Sequence, residues 1–306
     1  MFSHTPVLVK EVLEFLNLRP GALIVDLTVG LGGHAREIVE KILPKGMLIA
    51  MDQDAQVLEM AKRNLNEFSK NIQWIHGNFR GIDQHLKSLN IHEVDGILMD
   101  LGVSSYQLDD NTRGFSFLEN GPLDMRMNRA HSLSSMTARE VLNHFSEEKL
   151  ANILFEYGQE RYSRPIAKAI VKDRKRFPFE TTLQLARLIE DTIGFRYKGQ
   201  KIHSATRTFQ ALRIYVNDEL GALEETLFKA MDILKPQGRL VVISFHSLED
   251  GMVKRSFRKL SGRGGEVLRG SQGRLLTRKP VRPSPDEVRM NDRARSAMLR
   301  AIEKRG

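Results

Sequence analysis

The sequence predicts an α/β fold: a doubly wound, mostly parallel sheet, finished by an antiparallel pair of strands and interrupted by a mostly helical insert. Three observations predict it. Short apolar runs in the first hundred residues end at Asp26, Asp52, His76 and Asp100, and amphipathic helices separate them, which is the alternation of a βαβ sheet. About 140 positions then separate Asp100 from the next strong strand, Arg239 to Phe245, where a βαβ unit needs only about 30. Two short runs, near Arg274 to Thr277 and Ser296 to Ile302, close the chain as an antiparallel pair. The sheet domain is therefore expected at residues 1–107 and 214–306, and the insert at 108–213.

The elements follow in order. His4-Thr-Pro-Val-Leu8 reads as a turn, with His4 a surface or capping group, and Glu11 to Leu16 as a short helix turning Val12, Leu13 and Leu16 inward. Ala22 to Asp26 is a buried strand, and Gly30, Gly32 and Gly33 turn the backbone sharply into a helix over Ala35 to Leu43. Met47 to Met51 is the second strand, ending at Asp52, and Asp54 is placed to cap the helix that carries Val57, Leu58, Ala61 and Leu65. Ile72 to His76 exits through Gly77-Asn78-Phe79, and Val94 to Asp100 through Leu101-Gly-Val-Ser-Ser105. Inside the insert, Ser146-Glu-Glu-Lys, Ser163-Arg-Pro165 and Thr181-Thr182 mark helix starts. A helix over about Asn217 to Leu234 is closed by Lys235-Pro-Gln-Gly238, and Leu240 to Phe245 returns to the centre of the sheet.

Ligands of such sheets bind at the carboxyl ends of the strands, so the tips carry the functional question. Gly30-Leu-Gly32-Gly33-His34-Ala35 fits the G-x-G-x-x-A form of the dinucleotide fingerprint, which keeps NAD open, as does a tight strand-to-helix turn that holds no ligand. Asp26, four residues before Gly30, would crowd a pyrophosphate but suits a cation such as S-adenosylmethionine, with its ammonium and sulfonium. An NAD-dependent dehydrogenase also needs a second mononucleotide-binding half, where this chain has its insert. Asp52 stands about 20 positions past the glycine turn, where a ribose diol is held. Phe79 suits an adenine ring or the core.

Composition bounds the chemistry. The absence of Cys excludes disulfides, thiolate metal sites and thiol nucleophiles, and the nine His show no H-E-x-x-H spacing, so no metal is expected. No basic-then-apolar leader opens the chain and the apolar runs are too short to span a bilayer, which predicts a cytoplasmic protein with no membrane partner. The net charge of +9 is concentrated at one end: from Gly251 onward there are 16 Lys and Arg against 5 Asp and Glu. That is the footprint of a nucleic-acid partner, or else a solvated tail. Arg278-Lys-Pro-Val-Arg-Pro-Ser-Pro285 reads as an exposed loop within it.

His4-Thr-Pro-Val-Leu8, Gly32-Gly33-His34, Asp100-Leu-Gly-Val-Ser-Ser105, Gly121-Pro-Leu-Asp-Met-Arg126, Arg207-Thr-Phe-Gln-Ala-Leu-Arg213 and Ser244-Phe-His-Ser-Leu-Glu-Asp250 together resemble the bacterial ribosomal RNA small subunit methyltransferase H family. The resemblance spans nearly the whole chain. It implies a class I S-adenosylmethionine-dependent methyltransferase fold. It also implies methylation of N4 of one cytidine in the decoding region of 16S rRNA, conventionally position 1402, on the small ribosomal subunit or its precursor. Carried over by position, its cofactor contacts fall on Gly32, Gly33, His34, Asp52, Phe79, Asp100 and Gln107. His34 and Gln107 come from the resemblance alone. An amino-methyltransferase for another RNA or DNA cytosine is the neighbouring alternative, and a non-catalytic RNA-binding ribosome factor is one from another class.

The expected chemistry is an in-line methyl transfer, in which the enzyme holds donor and acceptor in register. The N4 lone pair of cytosine is delocalised into the ring, so acceptors for the amino protons would localise it. Asp100 and the Ser104/Ser105 turn occupy the place for them, with Asp100 ranked first as a cofactor contact. His246, Glu249 and Asp250 are candidates for the cytosine pocket, or for capping the next helix. Gly114-Phe-Ser-Phe, Arg126 and Lys172-Asp-Arg-Lys-Arg176 are candidates for a substrate lid, and the base must arrive unstacked or single-stranded.

Overall fold

The computed structural model describes residues 6–129, 136–199, 202–262 and 272–306. His4 lies outside the described residues. In chain order the strands are β1 (Leu23–Asp26), β2 (Met47–Asp52), β3 (Ile72–His76), β4 (Val94–Asp100), β5 (Leu234–Ser244), β6 (Gly273–Leu275) and β7 (Met298–Lys304). The helices are α1 (Val9–Leu16), α2 (Gly33–Ile42), α3 (Ala55–Asn64), α4 (Ile82–Ser88), α5 (Ser105–Asp109), α6 (Ala138–His144), α7 (Glu147–Gly158), α8 (Ser163–Asp173), α9 (Thr182–Ile193), α10 (Thr206–Asn217), α11 (Glu219–Ile233), α12 (Ser247–Leu260) and α13 (Pro285–Met290). The chain divides into two compact units, residues 1–102 with 220–306, and residues 103–219.

The first unit is a seven-stranded sheet in the order β3-β2-β1-β4-β5-β7-β6. β1 to β5 are parallel, and β7 runs antiparallel to both β5 and β6. This is the mostly parallel sheet finished by an antiparallel pair that the sequence predicts. Alternation along the strands fills two cores: Ile24, Leu48, Ala50, Leu98, Val241 and Ile243 face one side, and Val25, Ile49, Met51, Ile97, Met99 and Val242 the other. Helices α1 and α2 bury Val12, Leu16, Ile38 and Ile42 on the first side, while α4, α11 and α12 bury Leu86, Leu227 and Phe257 on the second. Because both faces are covered, the central strands read as unbroken apolar runs rather than alternating ones.

Local signals hold at most boundaries. Asp54 caps α3, its carboxylate accepting from the N–H groups of Gln56 and Val57. β5 starts earlier than expected. Leu234 pairs with Val94 directly after α11, and the pairing resumes at Arg239 opposite Gly96, so Lys235-Pro-Gln-Gly238 loops out of the strand as a bulge, with Gln237 at φ 67°.

The second unit is helical around Leu150 and Leu154 of α7, Ile166 and Ile170 of α8, Leu185 and Ile189 of α9, and Phe209 and Leu212 of α10. Ser146 and Thr181 cap α7 and α9 as their spacing indicates, while α8 begins at Ser163 behind Tyr162, which supplies no side-chain cap. α7 and α10 pack closely at Gly158, where a Cβ would stand 2.5 Å from the Arg207 carbonyl oxygen. Asn217 at the end of α10 accepts from Met127 N–H at 2.8 Å and donates to Met125 O at 2.7 Å, tying the extended segment before α6 to the helices. Among the described residues, no helix is long and apolar enough to cross a membrane.

Candidate functional site

The tips of the parallel strands are stitched together beyond their ends. Leu27 N–H donates to Leu98 O at 3.0 Å, Val29 to Met51 O at 2.9 Å, Gly77 to Asp52 O at 3.0 Å, and Leu101 to Ile243 O at 3.0 Å. These bonds hold the residues that follow each strand side by side. Gly32 caps α2 at φ 92°, a conformation that favours glycine, and a Cβ there would lie 2.8 Å from a Leu65 methyl carbon. No side chain caps α2, so its first-turn N–H groups face the loop. Gly33, the first residue of α2, packs close to Pro6.

Three carboxylates converge here. Asp26 is buried, and its Oδ1 accepts from Thr28 N–H at 3.1 Å. Asp52 accepts from Gly30 N–H at 3.0 Å through Oδ2 and from Asp54 N–H at 2.9 Å through Oδ1, so one side chain clamps the glycine turn to the second strand tip. Asp100 has a buried Oδ1 with no hydrogen-bond partner, and its backbone N–H donates to Thr28 Oγ1 at 2.6 Å. No Lys or Arg pairs with any of the three among the described residues. Burial drives all three upward, Asp26 to about 7, Asp52 to about 6 and Asp100 to about 7, with the charge of Glu249 adding to the effect at Asp100. Among the described residues, no group of three His, Cys, Asp or Glu could hold a metal ion.

His34 links this cluster to the segment before α1. Its Nε2 lies 2.8 Å from Val7 O, and a carbonyl can only accept, so Nε2 carries a proton. Nδ1 lies 3.5 Å from Asp100 Oδ2. Burial lowers the His34 pKa, which favours the neutral ring, so Nδ1 is left as an acceptor facing Asp100. Phe79, two residues beyond the Gly77 bond to Asp52, is half-buried against the core on the α4 side. Thr28 and Val7 were not singled out from the sequence. Thr28 stands two residues past a strand tip, where a short hydroxyl can reach the next strand, and that position was the available signal.

The remaining candidates have other employment. His246 and Glu249 close a capping box on α12, and Glu249 also accepts from Phe245 N–H at 2.8 Å. Asp250 pairs with Arg300 through two bonds of 2.7 and 3.0 Å. Ser104 and Gln107 belong to the second unit. There Ser104 Oγ accepts from Gln107 N–H at 3.2 Å and Gln107 Oε1 from Ser104 N–H at 3.0 Å, a capping box on α5. Of the lid candidates, Phe115 packs into the helical core, Phe117 lies partly buried against it and Arg126 is held by Asp124, whereas Lys172, Lys175 and Arg176 are exposed.

Partly protonated carboxylates with no Lys or Arg partner among the described residues would favour a cationic ligand, because binding supplies the missing charge and expels protons. A cation is expected to bind there more tightly as pH rises from about 5 to about 8, releasing roughly one proton near neutrality. The raised pKa values have the opposite consequence for the ligand-free fold: their contribution to stability is full below about pH 4 and lost as pH rises through 6 to 7. Calorimetry in two buffers of different ionisation heat checks this, and an affinity flat across that range would contradict it.

The chain was also compared with known proteins. The model of the MraW methylase family matches residues 1–305. A Syntrophotalea carbinolica protein named ribosomal RNA small subunit methyltransferase H is 48% identical over 99% of this chain and 98% of its own length. Proteins of the same name from Geobacter sulfurreducens and Thermotoga neapolitana are 50% and 49% identical, covering 99% and 98% of this chain and 99% and 95% of theirs.

Proposed function

Because this chain belongs to the MraW methylase family, we propose that it transfers the methyl group of S-adenosylmethionine to N4 of a cytidine in the decoding region of 16S rRNA. At the coarser level it is an S-adenosylmethionine-dependent methyltransferase of small-subunit ribosomal RNA. The observation that carries the finer reading is the Asp100 carboxylate at the tip of a central strand, half-buried, unpaired by any Lys or Arg among the described residues, and with one buried oxygen left without a partner.

The residues present fit the methyl donor: a glycine turn where a Cβ would collide, a clamped carboxylate beside it, and negative charge awaiting a cation. When bound, S-adenosylmethionine supplies an electrophilic methyl group on a sulfonium. Gly32, Gly33 and the start of α2 would take its amino-acid end, with Asp26 nearby to balance its charge. Asp52 would hold the ribose diol with lone pairs not used by Gly30 and Asp54, and Phe79 would line the adenine. Gln107, kept in orientation by its capping box, is carried over as a further contact. Asp100, steadied by His34 and Thr28, would accept a proton or hydrogen bond from the cytosine amino group as well as face the cation. Ser104 and His246 remain candidates for the base pocket whose side chains already serve as caps.

We assign rRNA recognition to the helical unit. Its support is the exposed run Lys172, Lys175 and Arg176, followed by an exposed aromatic, Phe177, a combination suited to backbone contact and base stacking. The test is mass mapping of methyl groups on small-subunit rRNA treated with this protein and S-adenosylmethionine. One N4-methylcytidine in the decoding region is expected. Methylation of another base or of DNA cytosine would move the assignment to the neighbouring alternative, and binding without methyl incorporation would overturn it.

A further inference from the structure

Away from the strand-tip carboxylates, the sheet unit carries a second concave feature. A cavity of about 270 Å³ lies between α12 and the β6–β7 edge. Its floor is Phe257, Leu275 and Thr277, and its rim is Lys254, Arg258 and Arg278. The three rim cations are exposed, and none of their charged groups makes a hydrogen bond or ion pair among the described residues. Arg300, at the base, is committed to Asp250 by two short bonds. Thr277 Oγ1 accepts from Ala301 N–H at 3.0 Å, which leaves its hydroxyl proton available to a ligand.

The placement of the cations has a cost. Lys254 and Arg258 are four residues apart on α12, where like charges repel, and Arg278 adds a third positive charge to the same concavity. The neighbouring exposed cations Lys279 and Arg282 extend the positive field along the loop toward β7. Such a cluster is relieved by an anion with several acceptor oxygens. The volume is slightly below the range of drug-sized pockets, which suits one phosphate–sugar unit and not a dinucleotide.

We propose that this cavity is a docking subsite for the phosphodiester backbone of the RNA substrate, in which Lys254, Arg258 and Arg278 grip a phosphate while the Phe257 and Leu275 floor receives the adjoining sugar. The proposal rests on the rRNA reading above and adds to it a contact made by the sheet unit itself, outside the methyl-donor site.

The experiment compares wild type, the triple variant K254A/R258A/R278A and a control triple variant K45A/K70A/K87A, whose three lysines are exposed elsewhere on the same unit. For each, affinity for a small-subunit rRNA fragment is measured against salt, beside S-adenosylmethionine affinity and turnover at saturating RNA. The subsite variant is expected to lose about 2 from the slope of log affinity against log salt, and roughly thirtyfold in affinity near physiological salt. Its donor affinity and saturated turnover should match wild type, and the control should change little. A slope equal to wild type, or a loss matched by the control, overturns the subsite. Loss of cytidine monophosphate binding with an unmoved RNA slope would make it a free-nucleotide site and overturn it too. If wild type binds with the expected slope yet methylates no rRNA, the failure belongs to the functional reading and not to the subsite.

Discussion

Asp100→Asn is expected to lower turnover by two to three orders of magnitude while leaving the fold intact. The substitution keeps size and shape, and its amide can donate to His34 Nδ1, the ring nitrogen that faces it at 3.5 Å. What it removes is the negative charge at the tip of β4 and one acceptor for the cytosine amino group. Proton acceptance of this kind is worth about 10²–10⁴ in rate. The readout is the split between saturated turnover and donor affinity. If Asp100 acts on the acceptor base, the loss falls chiefly on turnover; if it only balances the sulfonium, the loss falls on the donor Kd. Turnover within threefold of wild type, with donor affinity also unchanged, would remove Asp100 from the site.

Asp52→Ala is expected to weaken S-adenosylmethionine binding by about a hundredfold or more. The carboxylate accepts from Gly30 and Asp54, and deleting it leaves two backbone N–H groups at the glycine turn without acceptors, at about 1–3 kcal/mol each. The ribose would lose its partner in the same step. Asp52→Asn keeps one oxygen acceptor, can satisfy only one of the two N–H groups, and should fall between. Titration calorimetry with the donor and with its thioether product separates the contributions. The ribose contact is common to both ligands, so both should weaken by a similar factor in Asp52→Ala. Donor affinity within threefold of wild type would show that Asp52 neither shapes the turn nor holds the ligand.

Much of the sheet was legible because its determinants are local in sequence. A strand buried on both faces must be apolar along its length, and the residue that ends it is where polarity returns, so Asp26, Asp52 and Asp100 announce three tips in advance. Asp54 was legible for a similar reason, since a short carboxylate ahead of a helix has its own N–H partners within three residues. The helix α10 was not. Its start has no capping side chain, and Thr206, Thr208, Ile214 and Val216 dilute its helical propensity. Its apolar face becomes meaningful only against α7, with which it packs at Gly158. Gly114-Phe-Ser-Phe, a lid candidate from its aromatic residues in a glycine-bearing loop, also packs inward: Phe117 stands against Phe209 and His203, partners too distant in sequence to be foreseen.

The fold class, the interruption of the sheet and the acidic residues at its strand tips follow from local patterns alone, since periodicity, glycine turns and caps depend on neighbours within a few positions. Folding alone brings those acids together without a Lys or Arg partner among the described residues, sets His34 between Val7 and Asp100, and gathers Lys254, Arg258 and Arg278 around a single cavity. Each of these depends on the strand order and on helices brought together from distant parts of the chain. Charge, burial and proton affinity are properties of that assembled neighbourhood, which no local pattern encodes.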